Sequence, residues 1–300
     1  MNIYSSISAN KWKTLLLMIL FVMIITTVVY VVAKSLGYGL SYVGFAFIMA
    51  SITSVGSYFY SDKVILATSG ARKIEKKDNP TLFRIVENLC IGEGIPMPKI
   101  YVINDTSPNA FATGRNYDHA VICVTSGILE MLNKSELEGV IAHELSHIKN
   151  YDIRLMSVVA ILVGFIVIIG NIFMHNLWFG GVRGERDDND SKAGSIFMII
   201  GILFVLISPI IATLIQLAIS RKREFLADAS AALLTRYPEG LASALEKISS
   251  FPRPLKTANN ATAHLFIINP FKGKSAGSFF SSLFETHPPV KERIKILRSM

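Results

Sequence analysis

The chain has 300 residues, of which 51% are hydrophobic and only 17% are charged, and its formal net charge is +8. A soluble domain usually carries about 25% charged residues, so this composition, with a mean hydropathy of +0.45, argues against an ordinary soluble protein. A positive charge can indicate nucleic-acid binding. Here the basic residues lie beside apolar runs, which is typical of the inner flanks of membrane spans. We therefore expect the lipid bilayer as a partner, and no nucleic acid.

Apolar runs of about the length that a membrane-spanning helix needs divide the sequence. They are Leu15–Ala33, Tyr38–Tyr60, Leu155–Met174 and Ile196–Ile219. The first run is longer than the apolar core of a cleaved signal peptide, which has about 7–15 residues, so we expect an uncleaved anchor. In the second run, Ala46, Ala50 and Ser54 form a row of small residues that would let this helix pack closely on the first. Pro209 is expected to kink the fourth run.

The distribution of basic residues predicts the topology. Lys and Arg cluster before the first and third runs and after the second and fourth. By the positive-inside rule, both termini and the long polar segments then lie in the cytoplasm. We predict a multi-pass protein with two N-terminal transmembrane helices in 1–60, a transmembrane hairpin at 155–219, and a cytoplasmic domain built from 61–154 and 220–300.

Local patterns predict short elements in the polar segments. Helices are expected at Thr81–Ile91 and Glu136–Lys149, and strands at Lys99–Ile103, Asn109–Thr113 and Ala120–Thr125, whereas Ser250–Thr286 looks irregular. Asn133 and Glu136 resemble a capping box at the start of the second helix. Cys90 and Cys123 lack metal-type spacing and are expected to be reduced thiols that pack as small hydrophobes.

The motif that carries chemistry is His143-Glu144-Leu145-Ser146-His147, which matches H-E-x-x-H within the second predicted helix. Residues four apart lie on one helix face, so His143 and His147 can bind one Zn²⁺. Glu144 projects beside them and can take a proton from an activated water molecule. The alternative is a helix with ordinary surface histidines. Apolar neighbours such as Val140 and Leu145 argue against it, because they place the histidines beside a buried stripe.

An open catalytic zinc site needs a third protein ligand. The metzincin extension is excluded, because Asn150 and Ile153 stand where that motif has Gly and His. The third and fourth runs would form a hairpin, so His147 would lie roughly 12 Å before it and Glu224 roughly 8 Å after it, at similar heights. Glu224 is therefore the best-placed carboxylate. Asp228, four residues later, could accept the free N–H of a zinc-bound histidine. Both carboxylates could instead form a solvated helix face that balances Arg221–Arg223.

Several segments together resemble the HtpX-type membrane zinc peptidases, gluzincins that are relatives of the CaaX prenyl proteases. The matching segments are Pro108–Gly114, Ala142–His147, Arg223–Asp228, Thr286–Pro289 and Arg293-Ile294. The resemblance covers nearly the whole chain and implies one zinc ion held by His143, His147 and Glu224, with Glu144 as general base. It also implies a cytoplasmic active site and substrates that are misfolded or damaged membrane proteins.

The resemblance assigns roles to two further regions. Asn109, Ala110, Phe111 and Ala112 would form an edge strand beside the cleft that pairs with an extended substrate backbone; they could equally form an ordinary hairpin strand. His287 would donate to the oxyanion of the tetrahedral intermediate, or be a plain loop histidine before two prolines, and Arg293 would brace this region.

The expected fold class is mainly α with a small β-sheet: a four-helix transmembrane anchor plus a cytoplasmic zincin-type metallopeptidase domain built from two chain segments. The expected function is an integral membrane zinc endopeptidase. A membrane scaffold or chaperone-like binder with a structural zinc site is the main alternative, and a fourth protein ligand would favour it. A transporter is disfavoured, because the apolar runs contain no ionisable residue. The sequence predicts neither the oligomeric state nor a role for the loop 176–194.

Overall fold

The computed structural model describes residues 3–35, 39–180, 221–259, 261–271 and 288–300. The helices in these ranges are α1 (Ile3–Ser35), α2 (Ser41–Thr68), α3 (Pro80–Glu93), α4 (Ser126–Met131), α5 (Lys134–Lys149), α6 (Asp152–Gly180), α7 (Arg221–Thr235), α8 (Pro238–Ser250) and α9 (Val290–Leu297). The strands are β1 (Arg72–Lys73), β2 (Lys99–Ile103), β3 (Ala110–Thr113) and β4 (Val121–Thr125). The protein is mainly helical with a small sheet, as the sequence predicted.

The strands form one mixed sheet in the order β1-β2-β4-β3. β2 and β4 are parallel, whereas β1–β2 and β3–β4 are antiparallel, with Ala110 opposite Val124. The three longer strands confirm the strand predictions, and β3 lies at the edge of the sheet. One hydrophobic core joins the sheet to helices that precede α6 in the sequence and to helices that follow it, through residues such as Ile122, Val140 and Leu241. Segments distant in sequence therefore share a core.

Helix α5 lies at the centre of this core. Its start confirms the predicted capping box: the Asn133 side chain accepts from the Glu136 backbone N–H, and the Glu136 carboxylate accepts from the Asn133 N–H, at 2.9 Å each. Gly139 lets α8 approach closely, since a Cβ atom at that position would lie only 2.7 Å from the backbone nitrogen of Leu241. The helix is thus held by a fixed N-terminus and a close crossing.

A sharp break separates α5 from α6. The two helices are bent by 84°. Tyr151 within the break has a φ of 59°, a left-handed conformation that is uncommon for a residue other than glycine. Because of this turn, Asp152 in the first turn of α6 comes back beside the C-terminal half of α5.

Within the described ranges, two helices are long and apolar enough to cross a membrane by length and composition, at Ile7–Val31 in α1 and Ser41–Thr68 in α2. The bent pair of α5 and α6 would add a third if it counts as one span. The row of small residues on α2 is buried, and the Ser54 hydroxyl donates to the backbone oxygen of Met18 on α1 at 3.3 Å. The predicted close packing of the first two helices is therefore confirmed, and α2 continues past Tyr60 to Thr68.

Some predictions concern residues outside the described ranges. These are the fourth apolar run Ile196–Ile219 with Pro209, most of the loop 176–194, and His287. The four-helix anchor thus stays a prediction. In the described part of Ser250–Thr286, the regular structure is one 3-10 turn at Ala263–Leu265, in line with the irregular segment expected there.

Candidate metal centre

Three potential metal ligands from two helices converge at the C-terminal half of α5. His143 and His147 project from α5, and Glu224 comes from the first turn of α7. One ligand atom from each lies within 4.8 Å of the others, and all three side chains are buried. The structure thus brings together the three residues that the sequence proposed as metal ligands.

The spacing of these atoms fits a tetrahedral zinc ion. Zinc–ligand bonds of about 2.0–2.1 Å at tetrahedral angles place neighbouring donor atoms about 3.4 Å apart. The two Nε2 atoms are 3.2 Å apart, and Glu224 Oε1 lies 3.4 Å from His147 Nε2. Glu224 Oε2 lies 3.9 Å from His143 Nε2. Small side-chain adjustments therefore suffice to hold one ion.

The hydrogen bonds behind the histidines support the same conclusion. His143 Nδ1 lies 2.9 Å from Asp228 Oδ1, and His147 Nδ1 lies 3.0 Å from Asp152 Oδ2. An ionised carboxylate can only accept, so in the neutral imidazoles that bind metals each Nδ1 donates its proton and each Nε2 carries a lone pair. In that state the two Nε2 lone pairs face one another and repel. A cation between them turns this repulsion into coordination, which is the usual arrangement of a carboxylate–histidine–metal triad.

Arg293 from α9 completes the support of His143. Its side chain is fully buried and donates to both oxygens of Asp228, and its Nη1 donates to the backbone oxygen of Ile267 at 3.0 Å. Burial alone would raise the pKa of Asp228, but the charge and hydrogen bonds of Arg293 lower it to about 2. Asp228 is therefore ionised and ready to accept from His143.

Glu144 is buried beside the ligands. Burial, reinforced by the nearby charge of Glu224, raises the pKa of Glu144 to about 7, while a hydrogen bond from the Ala112 backbone N–H works in the opposite direction. A bound cation would favour the ionised form. The position and the pKa both suit a group that accepts a proton near neutral pH.

Comparison with known proteins agrees with this geometry. The family model described as "Peptidase family M48" matches residues 76–300. This chain belongs to peptidase family M48. The M48 chain is 46% identical to "Protease HtpX homolog" of Dictyoglomus thermophilum over 99% of its length and 94% of that relative. It is 45% identical to the protein of the same description from Caldanaerobacter subterraneus subsp. tengcongensis, over 100% of this chain and 98% of the relative.

A solved structure shares the fold. The crystal structure of S. mikatae Ste24p matches with a TM-score of 0.50 at 20% identity, over 98% of this chain and 66% of the other. Together with its family, the apolar helices of this M48 chain make it a membrane metallopeptidase, a hydrolase of peptide bonds.

The edge strand of this M48 peptidase is less open than the sequence suggested. Asn109, Ala110, Phe111 and Ala112 are all buried. The Ala110 carbonyl accepts from the Ile267 N–H at 3.0 Å, and the Asn109 side chain donates to the Ile268 oxygen at 3.0 Å. The strand lies beside Glu144, but residues 267 and 268 of the same chain cover part of its outer edge.

Sequence reasoning missed two polar groups near the M48 centre. Asp152 supports His147, and its position as the first acidic residue after the H-E-x-x-H helix could have drawn attention to it. Asn10 on α1 donates to Asp152 at 2.7 Å. A polar side chain at the end of a membrane helix was the available signal, although nothing local indicated its partner.

Proposed function

We propose that this chain is a zinc endopeptidase of the cell membrane that hydrolyses peptide bonds in misfolded or damaged proteins, including membrane proteins. The observation that carries the proposal is the set of three buried donor atoms at tetrahedral spacing, with Glu144 next to them. Three protein ligands leave a fourth position for water or substrate, as in catalytic zinc sites.

In the proposed mechanism, His143, His147 and Glu224 would hold Zn²⁺. When bound, the ion supplies Lewis acidity that activates water and polarises the scissile carbonyl. Glu144 takes the proton from the attacking water and passes it to the leaving amine nitrogen. Asp228 and Asp152 keep the two imidazoles oriented through their Nδ1 hydrogen bonds. His287 is proposed to donate to the oxyanion.

The substrate is proposed to bind as an extended chain along β3. Pairing to a strand edge uses main-chain hydrogen bonds and does not depend on the substrate's side chains, so it suits sequence-tolerant cleavage of unfolded segments. The Ala112 N–H faces Glu144, which supports a path for the bound substrate backbone that runs past the proposed metal site. Where Ile267 bonds to Ala110, a peptide would have to displace this segment of the chain.

The proposed membrane arrangement is a four-helix anchor with a two-segment catalytic domain and both termini in the cytoplasm. The apolar helices α1 and α2, and the direct passage from α5 into the apolar α6, support a catalytic centre close to the membrane surface. Such a position would give the enzyme access to polypeptides that emerge from the bilayer.

The deciding experiment compares wild type with Glu144→Gln on detergent-purified, zinc-loaded full chain and a fluorescently labelled unfolded protein. The variant should retain one zinc per chain and lose at least about 100-fold in cleavage rate, because a general base contributes about 10²–10⁴-fold. Glu87→Gln is the matched control, since Glu87 is half-exposed and pairs with Lys76 on the surface. Cleavage by Glu144→Gln at the wild-type rate would refute the assigned base.

Two further measurements test the substrate class and the alternative. The labelled substrate protein should be cleaved when it is unfolded and should resist cleavage when it is folded. Equal cleavage rates for the two forms would contradict a quality-control role. A structural zinc site in a scaffold needs a fourth protein ligand, and among the described residues three donors converge. X-ray absorption on the zinc protein with an added small thiol makes the distinction: a zinc–sulfur distance appears if water holds the fourth position and is absent if four protein ligands hold the ion.

A further inference from the structure

Asn10 on α1 is buried beneath the metal centre, with 3% of its surface exposed. Its side-chain nitrogen donates to Asp152 Oδ1 at 2.7 Å and to the backbone oxygen of Asn150 at 3.0 Å. Its side-chain oxygen accepts from Arg223 Nη1 at 3.1 Å. Both polar atoms of the Asn10 amide are thus engaged by groups more than 100 positions away in sequence.

Two of these partners, Asp152 and Arg223, are directly connected to a proposed metal ligand. Asp152 binds Asn10 through Oδ1, and its Oδ2 accepts from His147 Nδ1 at 3.0 Å. Arg223 immediately precedes Glu224, and its Nε lies 3.5 Å from Asp152 Oδ1. Asn10 therefore bridges the start of α6, whose Asp152 supports His147, to the start of α7, which carries Glu224.

The chemistry of an amide explains why asparagine suits this position. It donates to the anionic Asp152 and accepts from the cationic Arg223 at once, without adding a charge near the apolar span. Alanine at this position would leave a buried carboxylate oxygen and a buried carbonyl each short of a donor. The position of Asp152, and with it the orientation of His147, would no longer be held from the α1 side.

We propose that Asn10 is a positioning residue of the metal centre, so that the first membrane helix is part of the site and not only its anchor. Through Asp152 and Arg223 it sets the relative placement of His147 and Glu224. The inference rests on the metal site of the proposed function, but it does not depend on which peptides are cleaved.

The test is zinc affinity, measured on detergent-purified full chain by competition with a chromophoric chelator. Loss of an outer partner of a metal ligand typically weakens binding about 10–100-fold, so we expect Asn10→Ala to weaken zinc binding about tenfold. The visible absorption bands of the Co²⁺-loaded protein should also shift, because they report ligand geometry. Asn79→Ala is the matched control: Asn79 caps α3 through the Leu82 N–H, so its loss lowers stability without altering zinc affinity or the cobalt spectrum.

A charge-swap pair separates positioning from folding. Asn10→Asp places a carboxylate against Asp152 and should weaken zinc binding at least as much as Asn10→Ala. Combining it with Asp152→Asn restores a donor and an acceptor between these two side chains in reversed order and should recover part of the affinity, because the Asn150 carbonyl still lacks the donor that Asn10 gave it. A double variant no better than Asn10→Asp would overturn the inference, and so would wild-type zinc affinity and cobalt bands in Asn10→Ala.

These outcomes are independent of the proposed peptidase activity. If wild type binds zinc but cleaves nothing, the proposed function fails while the affinity series still tests Asn10. If wild type cleaves and Asn10→Ala binds zinc normally, the positioning role alone fails.

Discussion

Arg293 donates two parallel hydrogen bonds to the carboxylate of Asp228, with Nε to Oδ2 at 2.8 Å and Nη2 to Oδ1 at 2.7 Å. Both side chains are buried, and Asp228 Oδ1 also bonds to His143. The pair therefore links the last described helix to the first residue of the H-E-x-x-H motif. Its two hydrogen bonds require the planar guanidinium group of an arginine at position 293.

Replacing Arg293 should lower the free energy of unfolding. Arg293→Ala leaves Asp228 buried without its cation, and breaking a buried pair in this way destabilises by about 3–5 kcal/mol. Arg293→Lys keeps the charge but not the bidentate geometry, so its loss of stability should be smaller than that of Arg293→Ala but still measurable. Denaturant unfolding in detergent measures both. Arg298→Ala, which removes exposed pairs with Glu239 and Glu246, is the control and should change little; equal stability of the two alanine variants would disprove the role given to Arg293.

Removing the third ligand should abolish stable metal binding. Glu224→Ala leaves two imidazoles, so zinc affinity should fall by more than the roughly 100-fold that loss of an outer partner can cost. Metal content after gel filtration is the readout. Glu239→Ala, in the first turn of the next helix, is the control. One zinc per chain retained by Glu224→Ala would show that the third ligand lies elsewhere.

Metal removal should change the fate of the purified protein itself. An exposed loop of the chain would be a ready substrate for a peptidase with the proposed preference for unfolded segments, so we expect self-cleavage during purification. A chelator present from lysis onward should suppress the fragments, and added zinc should restore them. Identical band patterns with and without chelator would count against metal-dependent self-cleavage.

The two thiols should be inert in the folded protein. Burial, with a smaller contribution from the charge of Glu93, raises the pKa of Cys90 to about 11, and burial raises the pKa of Cys123 well above its ordinary value. The reactive form is the thiolate, so iodoacetamide at pH 8 should label unfolded but not native protein. Equally fast labelling of both would contradict this.

The same shift predicts a pH dependence of stability. A thiol whose pKa is raised on folding holds its proton more tightly in the native state, so the native state binds more protons than the unfolded one at high pH. Stability should therefore be unaffected by Cys90 below about pH 8.5, the ordinary thiol range, and should fall as pH rises toward about 11. Cys90→Ala should flatten this part of the stability profile, and an unchanged profile would rule out the Cys90 contribution.

The crossing at Gly139 reverses an ordinary expectation. Alanine usually stabilises a helix by about 1 kcal/mol relative to glycine. At Gly139 the added Cβ would lie 2.7 Å from a backbone atom of α8, so Gly139→Ala should instead destabilise, by about 1–3 kcal/mol as for other overpacked sites. Gly56→Ala has open space around it and should not destabilise. Thermal unfolding of the two variants gives the sign directly.

The parts of the site that depend on local patterns were predictable from the sequence. The capping box fixes the start of α5, and the helical period then puts His143 and His147 on one face. Glu224 required one topological step, the expectation that a hairpin returns beside its starting point. Each of these inferences needs only neighbouring residues or one simple connection, which a sequence pattern can supply.

The remaining parts depend on geometry that no local pattern encodes. Asp152 reaches His147 because Tyr151 adopts a left-handed turn, and no glycine or proline marks that turn. Asn10 meets Arg223 from 213 positions away, which depends on how three helix ends pack. The cover over β3 comes from Ile267, in a segment whose composition predicted only irregular structure.

The wide sequence spacing of the site has a consequence for biosynthesis. Asn10 is translated first, the two histidines much later, Glu224 after another long stretch, and Arg293 last. A ribosome-bound intermediate that stops short of position 293 lacks the partner of Asp228, so its proteolytic apparatus is unfinished. Under the proposed function, this order of synthesis would keep an incomplete chain from cleaving unfolded polypeptides, itself included, before its own synthesis is finished.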